Sequence, residues 1–318
     1  MFRELKKTGH CVTELRPLRL HDLPFVYRLA GHGVSFDVQL SLEVGGDSLR
    51  HVIVGHAGRV QAYVLRPASG GGGVGQLHFL DGQHQARLAY LAPSLEEGAS
   101  EDLWLNLLDG LAQVAGQRGV VSIIAEVDKR ASAFPILRRA GYAVYAQQNL
   151  WQRAPAPLPA TSITLRPVIP ADLAAVTGLH GQIVPALIKH IEPPPVEADW
   201  CYVADSPHGL RGLVAVYESG PAMLIEVYLA PREVREARAM LGAALAAVRA
   251  DVRPVYYRVR DYMGCSEQAL RDAGFEHVAE QVVMVRHTAV RVVHPKYKLS
   301  STVDAGAPLP TSNVEMSK

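Results

Sequence analysis

The chain has 318 residues, 48% of them hydrophobic and 20% charged, and a formal net charge of +1. That composition excludes a disordered chain, and the near-neutral balance argues against a nucleic-acid binder, whose surface must neutralise phosphates. Cys11, Cys201 and Cys265 stand far apart without a Cys-x-x-Cys pair, so neither a disulfide framework nor a metal site is expected.

The first element in chain order is a short strand over Thr13–Leu18, with a helix starting near Asp22, placed as an N-cap or first-turn acid. Turn punctuation at His56-Ala57-Gly58 predicts antiparallel strands over His51–Gly55 and Arg59–Arg66. Gly70–Gly75 matches Gly-x-Gly-x-x-Gly, but a strand-like Gln76–Leu80 follows where a dinucleotide fingerprint needs a helix; it reads as a flexible hairpin loop. Tyr90-Leu91-Ala92-Pro93 closes this group of strands. Leu103, Trp104, Leu107, Leu108, Leu111 and Val114 then keep the rhythm of a long amphipathic helix. A β-branched strand over Val120–Val127, a short helix ending at Ala140-Gly141 and a terminal strand follow. Gly141 sits where a helix needs its C-terminal glycine.

The stretch from Ala154 to Pro159 alternates proline and small residues, which makes it a semi-rigid spacer. Beyond it the pattern starts again. A strand over Thr164–Val168 leads to a helix from Asp172, and Pro193-Pro194-Pro195 breaks the chain before strands over Trp200–Ala204 and Arg211–Glu218. A helix carrying Val234, Leu241, Leu245 and Val248, a strand over Val255–Val259 and a short helix ending at Ala273-Gly274 complete it. From His294 large apolar residues are sparse, and residues 294–318 read as a disordered tail. No apolar run follows Lys6 and Lys7, and none reaches 18 residues, so the expectation is a soluble, cytoplasmic protein without a membrane span.

The second half repeats the first. Leu15-Arg16-Pro17 with Asp22-Leu23 recurs as Leu165-Arg166-Pro167 with Asp172-Leu173, and Tyr90-Leu91-Ala92-Pro93 recurs as Tyr228-Leu229-Ala230-Pro231. Leu137-Arg138 with Ala140-Gly141-Tyr142 returns as Leu270-Arg271 with Ala273-Gly274-Phe275, and Arg153 meets Arg286. Three ordered blocks at offsets of 150, 138 and 133 residues imply a duplicated domain, over 13–153 and 163–293, joined by 154–162. The fold class is α/β, a mixed and partly parallel sheet with helices on both faces.

Leu-Arg-Pro at the start, x-Leu-Ala-Pro before the long helix and Leu-x-x-Ala-Gly-aromatic near the end resemble the GNAT N-acetyltransferase superfamily, and the tandem arrangement is similar in outline to mycothiol synthase. The resemblance implies acetyl-CoA as co-substrate, held between a splayed strand and the start of the following helix. Its Arg/Gln-x-x-Gly-x-Gly/Ala phosphate loop is poorly kept. In the first half that loop carries Glu96, Glu97, Glu101 and Asp102, which repel pyrophosphate. In the second half Arg232, Arg235 and Arg238 stand there, with Ala237 and Ala239 at the glycine positions. The cofactor is therefore expected in the second half, with the backbone of Tyr228 and Leu229 on pantetheine and the arginines on phosphate. The family's proton-donating Tyr falls on Leu137 and Leu270, neither of which can donate. Glu226 is the candidate base, and Tyr262 and Cys265 are the candidate acids.

These residues imply acyl transfer from acetyl-CoA to a small amine by a monomer or homodimer, with no nucleic-acid or membrane partner. The alternative is a non-catalytic pair of such domains kept as a binding or scaffolding module.

Overall fold

The duplicated Leu-Arg-Pro block builds the same corner twice. Arg16 holds Asp22 at 2.6 Å, and Arg166 holds Asp172 at 2.7 Å. Each aspartate also accepts a backbone N–H three residues upstream, from Arg19 at 3.0 Å and from Ile169 at 2.9 Å. Both therefore close a 3-10 turn just ahead of a helix, and Asp172 stands at the N-cap of the helix that follows, as the spacing led one to expect. The protein is described here from a computed structural model covering residues 15–44, 59–66, 71–80, 84–195 and 198–288. The expected strand over 51–55 and the tail over 294–318 lie outside the described residues.

The first half contains β1 (Arg16–Pro17), α1 (Leu23–Leu29), β2 (Val34–Ser35), α2 (Val38–Val44), β3 (Val60–Leu65), β4 (Gly73–Phe79) and β5 (Gln85–Ala92). It continues with α3 (Glu101–Gln117), β6 (Ser122–Asp128), α4 (Ala133–Arg139) and β7 (Ala143–Arg153). The second half has β8 (Arg166–Pro167), α5 (Leu173–Ile183), β9 (Trp200–Ser206), β10 (Gly209–Ser219), β11 (Ala222–Leu229), α6 (Ala237–Ala247), β12 (Val255–Arg260), α7 (Glu267–Asp272) and β13 (Glu276–His287). Gly141 and Gly274 take φ of 86° and 82°, as their place after α4 and α7 requires.

All strands join one mixed sheet in the order β1-β3-β4-β5-β6-β13-β7-β12-β11-β10-β9-β8, with β2 against β5. The order is a palindrome of the two halves, with one departure from the sequence reading. The terminal strands do not complete their own units. Instead β13 pairs with β6 of the first half, and β7 pairs with β12 of the second. A duplicated pattern cannot specify which copy a strand joins, because both offer the same ladder and the same apolar alternation.

Strand alternation puts helices on both faces of the sheet. Ile123, Ala125 and Val127 of β6 pack in one core with Trp104, Leu107 and Leu111 of α3. Glu126 faces the other way and accepts the amide of Val38 at the start of α2, at 2.9 Å. The glycine run is only partly a loop, since Gly73 and Gly75 belong to β4. A Cβ on either would lie 2.7 Å from a methyl of Leu107 or Leu111, so these glycines let α3 approach the sheet. In the second half residues 231–236 form a 3-10 turn, and the α-helix begins only at Ala237.

Candidate functional site

Within each half the two parallel strands separate part-way along. The β5–β6 pairing ends at Arg87↔Ile124 and the β11–β12 pairing at Ile225↔Tyr257, which are equivalent positions in the repeat. Beyond these pairs each half has a gap whose edges offer backbone groups.

The first gap is closed by the chain itself. Val34 and Ser35 pair with Leu91 and Tyr90 of β5. Phe36 donates its N–H to Ala89 at 2.9 Å, and its carbonyl accepts from Glu126 of β6 at 2.9 Å. Gly33 makes the approach possible, because a Cβ there would lie 2.1 Å from the Tyr90 ring.

No strand bridges the second gap among the described residues. Met223 turns its N–H toward the β12 side and Ala230 turns its own toward β10. By strand alternation Val227 and Leu229, and not Tyr228, aim their amides into the gap. Leu229 was legible from the resemblance, whereas Val227 lies one residue outside the quoted motif. Beside the gap, the buried His180 Nε2 lacks a hydrogen-bond partner among the described residues. The rings of His180 and Tyr228 lie 5.8 Å apart.

At the far end of this gap Arg232, Arg235 and Arg238 are exposed and form no ion pair among the described residues. The 3-10 geometry brings i and i+3 side chains into line, so Arg232 and Arg235 project together. Ala237 is buried, and Ala239 is half-buried with its carbonyl accepting from Thr161 of the linker at 2.6 Å. The corresponding acids of the first half are largely engaged nearby: Glu96 with Ser132, Glu97 with His32, and Glu101 with Arg139.

The three proposed proton-transfer groups stand on different elements, Glu226 in β11, Tyr262 in the turn after β12 and Cys265 ahead of α7. Glu226 is 3% exposed, lies 2.6 Å from Arg258 and accepts from the Tyr228 hydroxyl at 3.0 Å. Burial alone would raise its pKa, but Arg258 and Arg260 hold the carboxyl below the usual carboxylate range, which makes it a weak base. Tyr262 stands in a 3-10 turn after β12, its buried hydroxyl unpartnered and its pKa raised by burial and by Glu192. Cys265 precedes α7, and burial raises its thiol as well.

Sequence reasoning missed the rest of the cluster. Arg258 also binds Glu126 at 3.0 Å, Arg260 binds Glu192 at 2.9 Å, and Arg87 lies 3.4 Å from Glu126. The signal was present as charges within apolar strands, at Glu126 in β6 and at Arg258 and Arg260 in β12. Nearby, the buried Asp37 carboxylate contacts His78 Nδ1 at 3.1 Å and accepts the Leu40 amide at 3.3 Å. Burial works to raise the Asp37 pKa, yet His78 and Arg87 together hold it well below the usual range. The carboxylate is thus ionised.

A cavity of about 520 Å³ opens over this cluster, between β3, β4 and β5 of the first half and β10, β11 and β12 of the second. Its walls include His78, Arg87, Glu192, Glu226, Tyr228 and Arg258. Among the described residues no group of three His, Cys, Asp or Glu side chains could hold a metal ion, and no helix is long and apolar enough to cross a membrane.

No family model matches the sequence, and no curated protein matches it. Solved structures do. A GCN5-related N-acetyltransferase from Sphaerobacter thermophilus superposes with a TM-score of 0.53 at 15% identity, covering 86% of this chain and 95% of the other. A tandem GNAT protein from the clavulanic acid biosynthesis pathway, solved without AcCoA, gives a TM-score of 0.45 at 17% identity over 87% and 98% of the two chains. The first of these likenesses shows a shared fold.

Proposed function

We propose that this chain, which has the GCN5-related N-acetyltransferase fold, transfers an acyl group from acetyl-CoA to a small amine in its second half. The observation that carries this reading is the asymmetry of the two gaps. In the first half residues 34–36 occupy the hydrogen-bonding edges that a pantetheine arm would need. In the second half the amides of Val227 and Leu229 are turned toward a gap that no strand bridges among the described residues.

The residues at that gap suit the co-substrate. The exposed Arg232, Arg235 and Arg238 offer donors for the CoA phosphates, and the amide edge of β11 offers them for pantetheine. Acetyl-CoA brings the activated acyl group; the protein's part is to orient it against the amine and exclude water. The repeated domains are read as 13–153 and 163–293, joined by 154–162.

A non-catalytic binding module is the second reading, favoured by Leu270 at the expected tyrosine position and by the paired state of Glu226. Titration calorimetry with CoA and acetyl-CoA separates the two. We expect binding that Arg235→Glu weakens at least tenfold, while Asp102→Lys, at the matching helix start of the first half, leaves it unchanged. Absence of heat and of thermal stabilisation at millimolar ligand would favour the module.

A further inference from the structure

We propose that the cavity between the halves is the acceptor site and that the Asp37–His78 pair of the first half is its general base. This rests on the cofactor reading above but assigns the first half a part in the chemistry that the duplication alone does not suggest.

The geometry of the pair carries the assignment. An ionised carboxylate can only accept, so Nδ1 of His78 must carry the proton toward Asp37, and Nε2 is left as the basic nitrogen. Nε2 has no partner among the described residues, and His78 lines the cavity with 16% of its side chain exposed. Asp37 is itself fixed by the Leu40 amide and is 1% exposed, so the imidazole is held in orientation from behind. Its cross-strand neighbour is Arg87, in register on β5, so both side chains share one face.

The opposite wall of the same cavity is where the second gap opens. Glu226 is the first residue beyond the last β11–β12 pair, and it lines the cavity together with Tyr228. An acceptor in the cavity would therefore meet the base on one side and the acyl group on the other, directly or through one water. The lining carboxylates are largely engaged by arginines, Glu192 by Arg260, Glu218 by Arg253 and Glu226 by Arg258. The volume of the cavity and its polar walls suit a small primary amine.

The proton balance follows. The ammonium gives one proton to His78 Nε2, and the freed lone pair forms the C–N bond at the thioester carbonyl. As the C–S bond breaks, the second amine proton ends on the CoA thiolate. His78 returns its proton to solvent. The charged and titratable groups facing His78 are Asp37 and Glu43 from the α2 segment, Arg59 beside β3 and Arg87 of β5. Across the cavity they are Glu192, Glu218, Glu226 and Arg258.

The test uses the full chain with acetyl-CoA and a panel of diamines, amino acids and aryl-alkylamines, following thiol release. His78→Gln should lower kcat about 100-fold or more, flatten the acidic limb of the pH–rate profile, and leave acetyl-CoA affinity by calorimetry unchanged. Asp37→Asn should lower kcat with the same affinity retained. Unchanged kcat and pH profile in His78→Gln would overturn the assignment, as would wild-type protein that binds acetyl-CoA but turns over no amine. If acetyl-CoA does not bind at all, the cofactor reading fails instead. The pair is then judged by nitrogen NMR of His78, where a neutral ring protonated on Nε2 would refute it and one protonated on Nδ1 would sustain it.

Discussion

Arg153 shows how much one repeated residue can do. It is 3% exposed and donates to four carbonyls, those of Ala273, Ala250, Ala156 and Pro157. It thereby ties the end of β7 to the second half's helix ends and to the linker. Replacing it with Met would strand buried acceptors, each worth about 1–3 kcal/mol. We expect Arg153→Met to lower the urea midpoint by an amount equivalent to about 3 kcal/mol or more, measured by far-UV circular dichroism. Asp22 offers a pH prediction. The Arg16 hydrogen bond, opposed by burial, holds its pKa down to about 2. Because the folded value is depressed, the stability it confers is present above its unfolded value of about 4 and is lost as pH falls toward 2. Urea titrations between pH 5 and 2 should therefore show a shallower acid loss in Asp22→Asn than in wild type. Both residues stand in repeated blocks, so their importance was legible; their partners were not, because Ala250 and Ala273 are remote in sequence.

Among the elements, the segment closing the first gap is the one whose fit is tightest. Gly33 approaches β5 so closely that a methyl group would sit 2.1 Å from Tyr90 and 2.6 Å from the Leu91 carbonyl. Gly33→Ala should cost about 1–3 kcal/mol of stability by overpacking, read from the urea midpoint. Its acetyl-CoA affinity should match wild type if the cofactor belongs to the second half. A change in affinity would move the site to the first. The strands and long helices were readable from period and punctuation, since β5 and β11 are short apolar runs bounded by turn residues and α3 keeps a helical apolar rhythm. The closing segment was not, because two residues of strand between two helices leave no periodic signature. The start of α6 also differs from the sequence reading: Arg-Glu-Val-Arg-Glu has helical composition, yet after Pro231 it forms a solvent-facing 3-10 turn.

Across the whole molecule the exchange of β7 and β13 has a mechanical consequence. Each half receives its neighbouring strand from the other, so neither can close its sheet alone. The chain should unfold in urea as one cooperative transition, with fluorescence and circular dichroism coinciding; two separated transitions would refute it. A protease site inserted at Leu158 in the linker should, after cleavage, leave the two fragments co-eluting in size-exclusion chromatography. By itself the sequence determined the repeated blocks, the position of the strand-ending prolines and the charge contrast between the two helix starts. All of these depend on residues near one another in the chain, where spacing and chemistry suffice. Only the tertiary structure decided which half receives each terminal strand, which gap is closed, and that Asp37, His78, Glu126, Glu226, Arg258 and Arg260 converge on one cavity. Those outcomes depend on contacts between segments about 40 to 165 residues apart, whose partners local periodicity does not encode.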